Sequence, residues 1–208
     1  LSGYKVHPLL DMKKYAEAFV PKHVAISLAG EPTLYPKLGG LVNAFHKRGM
    51  TTFIVSNGTL PKVLEKLDEE PTQLYISVCA PDKETFKNTC RPKIPMAWQK
   101  LNRTLELLRS FKCPTVLRLT LIRVLNLKNP RGYAKLIEKA NPLYVEPKAF
   151  MYVGYSRNRL TFEDMPTHND IRGFAKQLSK ETGYKIIDES VESRVVLLSR
   201  IEKARLLG

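Results

Sequence analysis

Five short apolar runs recur along the chain, each followed by a stretch with helical spacing, and this alternation constrains the fold more than any other feature. The runs are His23–Leu28 (HVAISL), Thr51–Val55 (TTFIV), Gln73–Val78 (QLYISV), Thr115–Ile122 (TVLRLTLI) and Leu143–Val153 (LYVEPKAFMYV). Helical patterns lie at Pro36–Arg48, Pro61–Leu67, Met96–Ser110 and Arg131–Lys139. A further helix is expected over Asn169–Lys180, before two short strands at Tyr184–Asp188 and Arg194–Leu198. Strands rich in Val, Ile and Leu that alternate with helices imply βαβ units and a parallel sheet. Right-handed crossovers then bring the C-terminal end of every parallel strand to one rim, where such sheets bind ligands. Pro36 and Pro61 fall in the first turns of two proposed helices, where a missing N–H costs nothing. The class is α/β; periodicity does not decide between an open sheet and a barrel.

With 208 residues the chain is expected to form one domain, residues 1–208. It holds no run of about 18 apolar residues of the kind that crosses a membrane. The opening LSGYKVHPLL lacks the layout of a secretion signal, so a cytoplasmic location is expected. Charge is more informative. The net charge is +14, and between Lys87 and Lys139 thirteen basic residues face two acidic ones, Glu106 and Glu138. A stretch of this density attracts polyanions, because each neutralised phosphate releases condensed counterions. It is equally compatible with a lysine-rich surface of the thermophilic kind. The three cysteines, Cys79, Cys90 and Cys113, are too widely spaced for a zinc pattern and too few for a disulfide framework. They are expected to be small buried hydrophobes. His7, His23, His46 and His168 form no ligand pattern.

The groups at the strand ends carry the functional signal. The first strand runs into Gly30-Glu31-Pro32, where glycine lets a ligand approach the backbone and the carboxylate can accept bonds from an ammonium. Taken alone, this tripeptide is more often a simple turn. The second strand leads to Ser56-Asn57-Gly58-Thr59, a turn and helix-capping signal whose polar side chains would lie on the same rim. Ser77 closes the third strand, Arg118 and Thr120 sit on the fourth, and Lys148 and Tyr152 on the fifth. One bound ligand would account for all of these groups together.

These same segments resemble a known family. AISLAGEPTLYP, TTFIVSNGT, TQLYISVCAP, VLRLTLIR and VEPKAFMYVGYSRNRLT look like the successive strand motifs of the archaeal-type tRNA 4-demethylwyosine synthases of the radical S-adenosylmethionine (SAM) superfamily. The resemblance runs from about Gly3 to Ser199. It implies a partial (β/α)6, TIM-like barrel with parallel strands, SAM and a [4Fe–4S] cluster as cofactors, and a carbon–carbon lyase acting on tRNA. The implied reaction forms 4-demethylwyosine from N1-methylguanosine, with pyruvate as carbon donor and an external electron donor. The implied SAM contacts are Gly30, Glu31, Pro32, Ser56, Asn57, Ser77, Arg118, Thr120 and Tyr152, with Tyr152 beside the adenine. The cluster-binding CxxxCxxC loop would precede the first strand and is not in this chain. The chain is therefore expected to be N-terminally incomplete and inactive alone, and to be a monomer.

Lys148 interrupts an apolar strand two residues after Glu146. A lysine facing the barrel interior loses water from its ammonium, and the neutral amine so favoured can form a Schiff base with a ketoacid. Pairing with Glu146, on the same strand face, is the competing expectation. Arg91, Lys93, Lys100, Arg103, Arg123, Lys128 and Arg131 are the candidate RNA contacts, because crossovers that follow strand ends can flank the rim. Two rival readings are a radical SAM enzyme with a non-RNA substrate and a non-catalytic RNA-binding α/β domain. A Schiff-base lyase of full (β/α)8 type would require more strands than are found here.

Overall fold

The structure is a computed structural model and describes residues 2–28 and 30–205. Five strands run parallel and pair in chain order: β1 (His23–Ile26), β2 (Thr51–Ser56), β3 (Gln73–Ser77), β4 (Thr115–Leu121) and β5 (Tyr144–Ala149). A C-terminal hairpin extends the sheet. In it β7 (Val195–Ser199) lies antiparallel beside β5, and β6 (Lys185–Ser190) forms the far edge. The result is a partial barrel, open between β1 and β6. Its helices are α1 (Met12–Glu17), α2 (Leu38–His46), α3 (Pro61–Glu65), α4 (Lys83–Cys90), α5 (Ala97–Leu107), α6 (Pro130–Ala140) and α7 (His168–Thr182).

Local chemistry sets the helix ends. Thr167 and Asp170 form a reciprocal capping box at the start of α7, and Gly183, at φ 73°, ends it in the left-handed region. Asn129 caps α6 with Pro130 in its first turn. Asp82 accepts from the Thr85 amide at 2.8 Å and starts α4, a helix the apolar periodicity did not reveal. Strand β5 is shorter than expected and ends at Ala149. Phe150 leaves the sheet for a small satellite cluster with Ile122 and Met165, so Tyr152 lies beyond the strand.

Alternation along the strands sorts the two faces. Ile54, Leu74, Ile76, Leu117, Leu119, Val145 and Leu198 are fully buried in one cluster with residues of the helices. Each such side chain contributes about 1.5–3 kcal/mol on burial. The opposite parity carries Tyr75 and Ser77 on β3, Arg118 and Thr120 on β4, and Glu146 and Lys148 on β5, all partly exposed. The register aligns Ser77 with Arg118 and Arg118 with Glu146 in one row, and Thr120 with Lys148 in the next. His46, without an evident partner in the sequence, ties α2 to the sheet: Nδ1 meets Glu69 at 2.7 Å and Nε2 meets the buried Thr52 hydroxyl at 2.8 Å.

Gly58 locks α5 to the end of β2. It holds φ at 69°, and an added Cβ would lie 2.9 Å from Leu101 Cδ1 and 3.0 Å from Ile76 Cγ2. Its carbonyl accepts from the buried Thr104 hydroxyl at 2.7 Å. Gly49 has nearly the same dihedral, φ 70°, with nothing near its missing side chain. Gly49→Ala should therefore cost only the left-handed penalty of about 1–2 kcal/mol. Gly58→Ala should cost a further 1–3 kcal/mol, roughly, from overpacking. Urea unfolding of the two variants, compared with the parent, measures the difference.

Candidate active site at the strand ends

Glu31 organises the rim. Its Oε1 accepts from the Thr33 amide at 3.2 Å, the Thr33 hydroxyl at 2.7 Å and the Ser56 hydroxyl at 2.7 Å; its Oε2 accepts from the Asn57 amide at 2.8 Å. One carboxylate thus caps the short helical turn Pro32–Leu34 and joins the end of β1 to the end of β2. Oε2, with a single partner, retains acceptor capacity. Glu31 also lines a cavity of about 380 Å³ with Asn57, Ser77, Cys79, Cys90 and Lys93. The Asn57 carbonyl oxygen is occupied by the Thr59 amide at 2.9 Å and hydroxyl at 2.6 Å, which leaves its NH2 group as a donor. No hydrogen bond engages the Ser77 hydroxyl among the described residues. A free acceptor on a carboxylate, an amide donor and a hydroxyl donor suit a ligand that carries both an ammonium and a carboxylate, as SAM does.

Of the expected SAM contacts, Glu31, Asn57 and Ser77 meet in this cavity. Ser56 does not line it: its hydroxyl donates to Glu31 and accepts from the Gly58 amide at 3.0 Å. Gly30 and Pro32 shape the turn without lining the cavity. Arg118 and Thr120 lie farther along the same sheet face. Tyr152 is also apart, its ring covered by the Arg157 guanidinium at 5.5 Å and met edge-on by Phe162 at 6.4 Å.

The sequence pattern did not mark Cys79 and Cys90 as cavity residues, although Cys79 follows Ser77 at the parity that reaches this face. The neighbouring Cys90 holds the Cys79 thiol below its ordinary range against the opposing effect of burial, while Cys90 itself is pushed up. Cys113 is elsewhere, beside Glu70, and burial raises it to about 12. Among the described residues no group of three or more His, Cys, Asp or Glu side chains could hold a metal ion. The residues present therefore do not fit a [4Fe–4S] cluster.

Lys148 lines a second cavity on the same face, of about 290 Å³, with Glu146, Asp188, Glu189 and Ser190. It makes no ion pair or hydrogen bond among the described residues. Glu146 is engaged by Arg118 instead, through Nε at 2.7 Å and Nη2 at 3.3 Å. The expected Lys148–Glu146 pair does not form.

The basic candidates divide. Lys93 lines the first cavity, and Arg91, the left-handed C-cap of α4, is two residues before it. Arg91, Lys93, Lys100 and Lys128 have no carboxylate partner among the described residues. Arg103, on α5, pairs with Glu65 and Glu106, each at 3.6 Å, and Arg131 pairs with Glu181 at 3.1 Å. Arg123 is a structural clamp: it donates to the Glu163 carbonyl at 2.7 Å and to the Asp170 carboxylate at 2.6 Å.

The chain combines an open barrel of parallel strands, a Gly-Glu-Pro turn after the first strand and a largely apolar cavity with a few polar groups across the strand ends. The chain belongs to the radical SAM superfamily, whose family model matches residues 3–137, and residues 139–200 match the family described as Wyosine base formation. Membership implies SAM and a [4Fe–4S] cluster as cofactors. The chain is 56% identical over 204 residues to the S-adenosyl-L-methionine-dependent tRNA 4-demethylwyosine synthase of Pyrococcus abyssi, covering 96% of this chain and 60% of that protein. It is 48% identical to the protein of the same name from Methanocaldococcus jannaschii, covering 89% of this chain and 58% of that one. A solved structure described as TYW1 with a lysine-pyruvate adduct bound superimposes with a TM-score of 0.86 at 45% identity, covering 95% of this chain and 63% of that one. The chain thus spans about three fifths of the length of the relatives it matches.

The Arg123 clamp has a pH signature. Arg123, helped by Thr167, holds the Asp170 carboxyl below its ordinary 3.8. A depressed carboxyl stabilises the fold above its unfolded value, and that contribution is lost as pH falls through the folded value. The parent should therefore lose stability on acidification below about pH 4 more steeply than Arg123→Met does. Urea midpoints at neutral pH and through the acid range measure this slope.

Proposed function

We propose that this chain is the body of a tRNA-modifying radical SAM enzyme that forms 4-demethylwyosine from N1-methylguanosine with pyruvate as carbon donor. The observation that carries the reading is Lys148. Its side chain has no counterion among the described residues and lies on the sheet face that also presents the Glu31 cavity. Thr120 stands beside it on β4, and the next strand, β3, bears Ser77 and leads to Cys79. The strands that carry Ser77 and Lys148 are therefore two strand spacings apart, roughly 10 Å across the sheet. The relative that shares this fold with a lysine-pyruvate adduct supports the same reading.

Glu31, Asn57 and Ser77 would hold SAM, which would supply the radical chemistry when bound. Lys148 would hold the ketoacid. Its nitrogen attacks the pyruvate ketone carbon, water leaves, and the imine fixes the carbon donor at the sheet face. The tRNA would be held by phosphate contacts at the rim while a single base enters the pocket.

Borohydride tests the lysine directly, since hydride addition to the imine leaves a stable secondary amine. Labelled pyruvate should become attached to the peptide bearing Lys148, and Lys148→Ala should abolish the label. Label on another lysine, or none, would remove Lys148 from the mechanism. The free cations at the rim give a separate test. Arg91→Glu with Lys93→Glu should weaken tRNA binding and flatten its dependence on log salt by about 0.7–0.9 for each phosphate no longer neutralised. Filter binding across a salt series, with Lys180→Glu in the last turn of α7 as a control, measures both quantities.

A further inference from the structure

Glu146 and Lys148 occupy alternate positions of one strand and reach the same face, and both line the same cavity. Left to themselves, a carboxylate and an ammonium in that arrangement form an ion pair. Here the carboxylate is turned away. Arg118 aligns with Glu146 across β4 and β5, takes both its oxygens, and rests its guanidinium 4.6 Å from the centroid of the Tyr75 ring. The pair is well sheltered, with 28% of the Arg118 side chain and 14% of the Glu146 side chain exposed. Burial, together with the Glu146 charge, raises the Tyr75 phenol, so the ring under the guanidinium stays neutral.

We infer that Arg118 is a positioning residue that sequesters Glu146 and thereby keeps the Lys148 amine available to a ketoacid. The inference rests on the Lys148 reading above and assigns Arg118 a different role from a SAM contact. A carboxylate paired with a lysine favours the ammonium form, which has no lone pair to attack a ketone, over the amine that has one. A planar guanidinium matches both carboxylate oxygens at once and stacks on an aromatic ring, two properties lysine does not share. The remaining charged groups around Lys148 are Asp188 and Glu189 on β6. Glu189 is taken by His168 and Arg172, each at 3.1 Å. Asp188 Oδ1 accepts from the Glu189 amide at 2.8 Å. On β4 the facing neighbour is the uncharged Thr120, and on β7 it is Val195. Glu146 is therefore the carboxylate best placed to capture Lys148, and Arg118 is the group that prevents it.

The test measures the rate of pyruvate attachment to Lys148 under cyanoborohydride, with peptide mapping, in the parent and four variants. Arg118→Met should slow attachment at least tenfold, because Glu146 turns to Lys148. The double variant Arg118→Met with Glu146→Gln should return the rate to within about threefold of the parent, a rescue that a merely structural role for Arg118 does not produce. Glu146→Gln alone should leave the rate within twofold. Arg118→Gln, which keeps a planar amide over Tyr75, is used if Arg118→Met fails to fold, and the same tenfold loss is expected. Attachment at the parental rate in a folded Arg118 variant overturns the inference, as does a double variant that folds without rescue. A tenfold loss in Glu146→Gln also overturns it, since Glu146 would then serve the reaction itself. If the parent is not labelled at Lys148 at all, the Lys148 reading fails instead, so the two failures are distinguishable.

Discussion

A parallel sheet has two faces, and here the helices bury only one of them against the apolar residues. Ile54, Leu74, Ile76, Leu117, Leu119 and Val145 share a strand parity and are sealed beneath the helices. The other parity is thereby set free to carry Ser77, Arg118, Thr120, Glu146 and Lys148 in register across three strands. A shift of one residue in any of these pairings would bury charges and expose leucines. The hydrophobic requirement of the core therefore fixes the register that brings these polar groups together.

At the rim the same economy appears in single residues. Glu31 closes a turn, caps Pro32–Leu34 and joins the ends of two strands, while one of its oxygens still has room for a ligand. A carboxylate bound by four donors is held in one orientation before any ligand arrives, and preorganisation lowers the cost of binding. Gly58 serves the same corner from below, because the close approach of Leu101 and Ile76 fixes where the Asn57 side chain begins.

Much of this was legible in the sequence. All seven strands were expected, five of them from apolar runs, and of the rim tripeptide Gly30-Glu31-Pro32 the carboxylate lines the cavity. What escaped shares a physical reason. Helix α4 is polar, so its signal is the cap Asp82 and the acidic first turn at Glu84 rather than a hydrophobic stripe. The end of β5 was placed at Val153 because MYV continues the apolar run, although Phe150 belongs to a satellite cluster. The Arg118–Glu146 pair could not be seen, because strand register is a relation between segments 28 residues apart. Local pattern makes Glu146 and Lys148 neighbours, and only the β4–β5 pairing supplies the competitor.

Hydrogen-bond inventory then separates groups that sequence alone treats alike. Ser56 and Ser77 both end strands beside the cavity, yet the Ser56 hydroxyl has a donor and an acceptor already supplied by Gly58 and Glu31, whereas the Ser77 hydroxyl has neither among the described residues. Arg123 and Lys93 both lie in the basic stretch, yet Arg123 is bound to a carbonyl and a carboxylate while Lys93 faces the cavity. Glu146 and Glu31 are both carboxylates on this side of the sheet, but Arg118 occupies both oxygens of Glu146 and Glu31 keeps acceptor capacity on one. A side chain whose donors and acceptors are matched within the fold is held by it; one left unmatched beside a cavity is available to a ligand. By that criterion the polar groups left available beside the two cavities include Glu31, Asn57, Ser77, Lys93 and Lys148.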